Sequence, residues 1–195
     1  MSNVIEIKVI NQKEIEKRLG NMKEKAPVVI TRAINRALTA AKTTMGKEAS
    51  AKYYVASETV KSTVRLTRAN AGSLRGVATS KAARIPLYKF KVKPKTPVRV
   101  TNSGRSPDVY QKAVERAVGY EPLDGNPKAF VAAVGNGHLG VFERKSSSRL
   151  PIKELYELSV PEMLKSEDVF PAIEKRANEV LQKRLDHEIA HILAK

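Results

Sequence analysis

The sequence predicts an α+β protein in which a small antiparallel β-sheet, or a barrel-like core, is packed by a long N-terminal amphipathic helix and a long C-terminal helix. Apolar residues recur every three or four positions in residues 26–52 and 169–193, which is the period of an α-helix. Short runs between these segments alternate apolar and polar residues, as strands do. For 195 residues we expect a single domain, 1–195, with a basic extended loop or arm around residues 93–127.

The N-terminal part is predicted to hold one strand and two helices. Apolar and charged residues alternate over residues 3–10, which predicts the strand. The first helix is expected over Gln12–Leu19 and the second over Ala26–Lys52. On the polar face of the second helix, Asn35 and Arg36 are interpreted as solvated or locally hydrogen-bonded side chains.

The middle of the chain is predicted to be mostly extended. A short helix or turn begins at Ser57, and alternation follows over residues 64–67 and 74–81. The segment LYKFKVK at residues 87–93 alternates cleanly and predicts a strand with lysines on one face. Residues 109–118 have weak helical character.

The C-terminal third contains a predicted hairpin. Two apolar runs, Ala129–Val134 and Leu139–Glu143, flank Gly135-Asn136-Gly137, and Gly and Asn tolerate the positive φ of a tight turn. Pro151 and Pro161 then bracket a short piece, IKELYELSV. This piece is expected to be pinned at both ends, because proline fixes its own φ and biases the preceding residue away from helix. The hairpin is therefore expected to be held against the long helix that follows.

The charge of the chain is concentrated in one segment. The formal net charge is +16, and residues 59–107 hold 12 Lys and Arg residues without any Asp or Glu. Such a block repels itself unless an acidic partner or solvent lies close by. There is no Cys, which excludes disulfides and thiolate metal sites. We expect no signal peptide and no membrane span.

The alternating lysines Lys89, Lys91 and Lys93 leave two interpretations open. A strand with lysines on one face is typical of a sheet edge that resists wrong pairing. The same lysines could form a basic surface that faces a polyanion. The charge supports a non-specific DNA-binding protein as an alternative function, although no helix-turn-helix, zinc finger or aromatic stacking platform accompanies it.

The pattern His187-Glu188-x-x-His191 fits the H-E-x-x-H zinc-protease motif. Only four residues follow His191, so no third ligand lies downstream. The apolar stripe of Leu181, Leu185 and Ile189 is expected to place both histidines on the opposite, solvent-facing side of the helix. We therefore predict no enzyme, no catalytic residue, no metal and no cofactor, and a zinc metalloprotease stays only a remote alternative.

Three segments carry a resemblance to a known family. They are ITRAINRALTAAKT at 30–43, VKSTVRLTRA at 60–69, and the hairpin block with its following Pro-Ile and Val-Pro pairs at 128–164. In order and spacing the chain resembles the minor tail protein Z, or tail-completion, family of tailed bacteriophages. The resemblance is loose over residues 95–126, and its motifs are structural rather than catalytic.

The resemblance implies a structural virion protein that is assembled in the bacterial cytoplasm and acts at the head-proximal end of the tail. It implies a homo-oligomeric ring, with six-fold symmetry favoured, around the DNA channel. The implied partners are the tail terminator, the tail tube and the head-completion or neck proteins, with non-specific contact to genomic DNA. The surface expected to face the channel or an acidic partner is formed by Lys89, Lys91, Lys93, Lys95, Arg99 and Arg105. The exposed segment Lys145–Arg149, which follows the second strand of the hairpin and is called the hairpin tip below, is a predicted subunit contact through Lys145 and Arg149.

Overall fold

The computed structural model describes residues 3–8, 12–98, 110–123, 129–135, 137–146 and 148–194. The predictions for residues 9 and 10, Arg99, Arg105 and the turn residue Asn136 lie outside these ranges. The chain divides into two compact units. Unit 1 comprises Met1–Ala49, Ala56–Ala82 and Val160–Lys195, and unit 2 comprises Ser50–Val55 and Ala83–Ser159.

Unit 1 contains all five α-helices of the described residues and one three-stranded sheet. In chain order its elements are β1 (Asn3–Lys8), α1 (Gln12–Leu19), a 3-10 helix (Gly20–Lys25), α2 (Ala26–Lys52), α3 (Ser57–Ser62), β2 (Val64–Thr67), β3 (Arg75–Ser80), α4 (Val160–Leu164) and α5 (Val169–Leu193). The last residues of α2 belong to unit 2. The predicted bounds of α1, α2 and α5 are confirmed.

The long helices form because their apolar residues share one face. The stripe of α2 is fully buried and rich in alanine, and it includes Ile30, Ile34, Leu38 and Ala41. The stripe of α5, which includes Ile173, Leu181, Leu185 and Ile189, is buried as well. Burying each of these large side chains stabilises the fold by about 1.5–3 kcal/mol.

The sheet of unit 1 has the strand order β1-β3-β2, and both pairs are antiparallel. Its buried face contains Ile5, Ile7 and Ala78. Gly76 on β3 lies directly against α2, because a Cβ there would meet Leu38 Cδ1 at 2.6 Å and Ile34 Cγ2 at 2.7 Å. The absence of a side chain at this position therefore allows β3 and α2 to pack closely.

Unit 2 is built from short antiparallel strands. They are β4 (Arg84–Pro86), β5 (Lys91–Lys93), β6 (Gln111–Ala113), β7 (Glu121–Pro122), β8 (Phe130–Val134), β9 (His138–Arg144), β10 (Ile152–Glu154) and β11 (Tyr156–Ser159). The sheets are β10-β9-β8, β11-β4 and β5-β6-β7. Across the described residues of both units no sheet closes into a barrel, so the predicted α+β class with small antiparallel sheets is confirmed.

The predicted hairpin is confirmed as β8 and β9, with Val134 opposite His138 next to the turn. Gly135 and Gly137 both have positive φ, 53° and 85°, which explains the glycines of the turn signal. The piece between Pro151 and Pro161, for which the sequence predicted only that its ends are pinned, consists of two short strands. It forms β10, which pairs with β9, and β11, which pairs with β4.

The predicted strand over residues 87–93 is wrong in its first half. Leu87–Lys89 forms a 3-10 helix, and only Lys91–Lys93 is a strand. Residues three apart lie on the same side of a 3-10 helix, and this turn buries both Leu87 and Phe90. The Phe90 N–H donates to the Leu87 carbonyl at 3.0 Å and closes the turn.

The helical character predicted for residues 109–118 is also wrong. The described part of this segment forms β6 and a turn. Its backbone bonds to a distant segment, since Tyr54 N–H donates to Val114 O and Arg116 N–H donates to Lys52 O, both at 2.8 Å. A long-range pairing of this kind overrides a weak local preference.

Candidate functional site

Strand β5 exposes the lysines of the predicted basic surface. Lys91 and Lys93 point to solvent, while Val92 between them is buried. Lys89 precedes the strand and Lys95 follows it, and both are exposed. We call these four residues, Lys89, Lys91, Lys93 and Lys95, the lysine segment. Of the predicted surface, only these four belong to the described residues.

Three of these lysines lie over tyrosine rings. The Nζ atom of Lys93 is 4.2 Å from the ring centroid of Tyr120, that of Lys95 is 5.9 Å from Tyr88, and that of Lys91 is 6.0 Å from Tyr54. At exposed positions such a contact stabilises by only about 0.5–1 kcal/mol. The tyrosine rings therefore favour particular positions of the ammonium groups, and the positive charges can still interact with an anion.

The lysine segment forms no ion pair within the described chain. None of its four Nζ atoms forms an ion pair with a carboxylate of the described residues, whereas Lys112 on neighbouring β6 pairs with Glu157 and Lys153 on β10 pairs with Glu143 at 3.4 Å. Glu157 and Glu143 thus pair with cations other than those of the segment. The four ammonium groups are therefore free to contact an acidic partner.

Arg116 adds a further cation beside Lys91, a position that the sequence did not predict. Its guanidinium carbon lies 4.6 Å from the Tyr54 ring centroid, so Arg116 and Lys91 share one ring. The Arg116 Nε–H donates to Ser50 O at 2.9 Å, which orients the side chain. Tyr54 and Arg116 are far apart in sequence, and no local pattern links them.

The hairpin tip exposes Lys145 and Arg149, as the predicted subunit contact requires. Arg144 links Arg149 to the hairpin, because its Nη1–H donates to the Arg149 carbonyl at 2.6 Å while its guanidinium carbon lies 5.2 Å from the Phe130 ring centroid. These contacts use the backbone of Arg149 and leave its side chain exposed.

A polar cluster that the sequence did not predict connects strands β9, β10 and β11. Glu154 Oε1 lies 2.9 Å from His138 Nε2, and the Tyr156 hydroxyl donates to Glu154 Oε2 at 2.9 Å. This hydrogen bond and the charge of Glu154 raise the pKa of Tyr156 above its ordinary value. Gly140 leaves room for the cluster, since a Cβ there would lie 2.9 Å from Glu154 Oε1.

The H-E-x-x-H pattern on α5 is arranged differently from a zinc site. His187 and His191 are exposed, as predicted, but Glu188 is only 3% exposed. Glu188 Oε1 pairs with Arg184 Nη2 at 2.7 Å, and Oε2 accepts a hydrogen bond from Arg32 Nη1 at 3.1 Å. Both carboxylate oxygens are therefore engaged by arginines rather than directed at a metal-bound water.

The pKa of Glu188 reflects this pairing. Burial raises its pKa, but the hydrogen bond from Arg32 and the charges of Arg184, Arg32 and His187 outweigh burial, so the pKa lies below its ordinary value. Within the described ranges, no group of three or more His, Cys, Asp or Glu side chains is arranged to hold a metal ion.

Asn35 makes a long-range contact, so its interpretation as solvated or locally bonded is wrong. Its Nδ2–H donates to Ala69 O at 3.0 Å, and its Oδ1 accepts from Ala69 N at 2.9 Å. Asn35 thereby joins α2 to the chain after β2. The neighbouring Arg36 is exposed, as that interpretation expected.

These features define a strongly basic α+β protein whose described surface carries unneutralised lysines. Within the part of the chain that the structure describes, every helix is too short or too polar to cross a bilayer. The chain belongs to the prophage minor tail protein Z (GPZ) family, whose family model matches residues 11–195. The resemblance is thereby confirmed, and the protein is a structural component of the phage tail and hence of the virion. No curated protein and no solved structure matches the chain.

Proposed function

We propose that this minor tail protein completes the tail at its head-proximal end and helps to join it to the head at the neck. In this proposal the whole chain acts as one tail-completion domain, and its copies form a six-fold ring around the DNA channel. The ring contacts the tail terminator, the tail tube and the neck proteins. Family membership supports the tail role. The observation that carries the finer proposal is the lysine segment, which forms no ion pair with a carboxylate of the described residues.

The charge of the lysine segment suits a channel through which DNA moves. Lys presents a compact charge that contacts phosphate without reading sequence. Such contacts are weakened by salt and allow a protein to slide along DNA. Each ammonium that lies over a Tyr ring stays exposed, so a passing phosphate could replace water around it. Arg99 and Arg105 extend this surface in the proposal.

An acidic neighbouring protein would complement the same lysines. The two possibilities differ in salt dependence and in partner. Binding of duplex DNA by the isolated protein with a steep salt slope would favour the non-specific DNA-binding alternative. Weak DNA binding by the isolated protein, together with binding to purified tails, supports the connector.

The hairpin tip is the proposed contact between neighbouring copies of the ring. Lys145 and Arg149 are exposed there, and Arg144 binds the backbone carbonyl of Arg149. Replacing Lys145 and Arg149 by Glu reverses the charge of the tip while sparing the Arg149 carbonyl that Arg144 binds. The double variant should form fewer rings than the wild type, whereas Lys165→Glu, an exposed lysine of unit 1, should leave ring formation unchanged.

The proposal is tested by adding purified protein to tails that lack it and counting the tails that join to DNA-filled heads. The expected result is that joining requires the protein and that electron micrographs show a ring of copies at the head-proximal end. Joining at the same rate without the protein, or decoration of another part of the tail, would overturn the proposal.

A further inference from the structure

A groove between α2 and α5 lies wholly within unit 1 and shares no residue with the lysine segment. It has a volume of about 670 Å³ and is open to solvent. We infer that this groove is a docking site for an acidic amphipathic helix of a partner protein.

Three of the four half-buried residues that line the groove are small or apolar, and we call these three its floor. They are Ala40 and Thr44 of α2 and Val180 of α5. The hydroxyls of Thr39 and Thr43 donate to the backbone carbonyls of Asn35 and Thr39, at 3.0 and 3.1 Å. The hydroxyl groups of these two side chains therefore donate their hydrogen bonds within α2. Small residues on a helix allow the backbone of another helix to approach closely, and apolar ones can receive its apolar face.

The rim of the groove carries Arg and Lys side chains on both sides. Arg36 lines it from α2, and Arg176, Lys183 and Arg184 line it from α5 together with His187. Glu179 is the single carboxylate among the lining residues, and it is paired with Arg176 at 3.3 Å. Arg184 is paired with the buried Glu188 at 2.7 Å. Arg36 and Lys183 form no ion pair with any carboxylate of the described residues, so they offer charges on opposite sides for an acidic ligand.

The shape and chemistry of the groove favour a helix over DNA. An α-helix is about 10–12 Å wide with its side chains, and an amphipathic one could place its apolar face on Ala40 and Val180 and its carboxylates beside Arg36 and Lys183. A DNA duplex presents only phosphate and sugar at such a rim and has no apolar face for the floor.

A second copy of this chain is a poor occupant. Among the described residues, the helices of eight residues or more are α1, α2 and α5, and each carries at least as many basic as acidic residues. None of them matches a cationic rim. The acidic helix is therefore expected from a different protein.

The test measures binding of two labelled synthetic peptides to the full-length protein by fluorescence anisotropy. One peptide, of about 20 residues, places leucines and glutamates at helical spacing, and the other has the same composition in shuffled order. The variants are Arg36→Glu with Lys183→Glu, which reverses the rim, and Ala40→Phe, which fills the floor. Lys175→Glu is the matched control, because Lys175 is an exposed lysine of α5 that does not line the groove. Circular dichroism verifies that each variant is folded.

We expect the amphipathic peptide to bind at least about tenfold more tightly than the shuffled one, and both the rim and the floor variants to remove that preference. The Lys175→Glu protein should bind like the wild type. Equal binding of the two peptides, or equal weakening by Lys175→Glu and by the rim variant, would overturn the inference. A DNA duplex that binds the wild type and loses affinity in the rim variant alone would assign the groove to DNA instead.

Discussion

Arg32 on α2 donates a hydrogen bond at 3.1 Å to Glu188 on α5, and this contact between residues 156 positions apart in sequence links the two long helices. The two ends of this bond differ in environment, since Glu188 is 3% exposed and the Arg32 side chain 54%. A buried carboxylate needs charged or hydrogen-bonding partners to offset the loss of hydration. Arg32 and Arg184 supply them from positions that reach solvent.

The first prediction concerns the stability that this carboxylate provides. Glu188→Gln keeps the side-chain size but removes the charge that both arginines contact. We expect the free energy of unfolding to fall by about 1–3 kcal/mol, as for loss of a hydrogen bond to a charged group. Urea denaturation measures it. Glu179→Gln, which breaks an exposed pair on the same helix, should change stability by less than about 1 kcal/mol, and an equal loss in the two variants would contradict this role.

The second prediction gives the pH dependence of the same interaction. Because the pKa of Glu188 in the folded protein lies below its ordinary value of 4.5, the folded state binds a proton less readily than the unfolded chain does. The stability that the Glu188 carboxylate contributes is therefore fully present above about pH 4.5 and is lost as pH falls through the folded-state pKa. The stability difference between wild type and Glu188→Gln should stay constant from about pH 8 to 6 and shrink below about pH 4.5. A difference that grows on acidification would show that the pKa is raised instead.

The third prediction concerns Asn35, which both donates to and accepts from the backbone of Ala69. Asn35→Asp keeps the acceptor but places a carboxylate oxygen against the Ala69 carbonyl. We expect a loss of about 1–3 kcal/mol at neutral pH. Asn70→Asp is the control, because the Asn70 Oδ1 accepts from the N–H groups of Gly72 and Ser73 and Asp can do the same. If thermal unfolding midpoints of the two variants coincide, the Asn35 contact is not what joins these segments.

The fourth prediction uses the close contact between β3 and α2. In Gly76→Ala the new methyl group would lie within 2.7 Å of Leu38 and Ile34, and this overpacking should cost about 1–3 kcal/mol. Gly72→Ala in the preceding turn meets only Asn70 Oδ1, at 3.6 Å, and should stay within about 0.5 kcal/mol of wild type. Chemical denaturation of both variants compares them, and an unchanged Gly76→Ala protein would mean that the helix can move away from the sheet.

The elements that the sequence predicted correctly depend on local patterns. The apolar stripes of α2 and α5 repeat over many turns, so their bounds follow from periodicity. The hairpin of β8 and β9 follows from two glycines that adopt positive φ. The strand predicted for residues 87–93 is wrong in its first half because the same sequence also fits a 3-10 turn. In that turn Leu87 and Phe90, which are three residues apart, are buried together.

The contacts that define the candidate sites join distant parts of the chain. Lys93 meets Tyr120, and Arg116 meets the ring of Tyr54. Nothing near any of these residues in sequence indicates its partner. The positive charge of the lysine segment was therefore predictable, but its tyrosine partners were not. The burial of Glu188 likewise depends on Arg32, which no motif on α5 could indicate.

If the lysine segment acts in tail completion through its charge, as proposed, the infectivity of phage particles depends on its four lysines. Particles carrying Lys89, Lys91, Lys93 and Lys95 all replaced by Gln are compared with particles in which Lys13, Lys17, Lys23 and Lys25, four exposed lysines of unit 1, are replaced by Gln. Both variants lose the same charge. The proposal predicts that the titre of the first falls about tenfold or more, since each lost phosphate or carboxylate contact weakens binding, while the second matches the wild type. Normal infectivity of the first variant, or an equal fall in both, would contradict it.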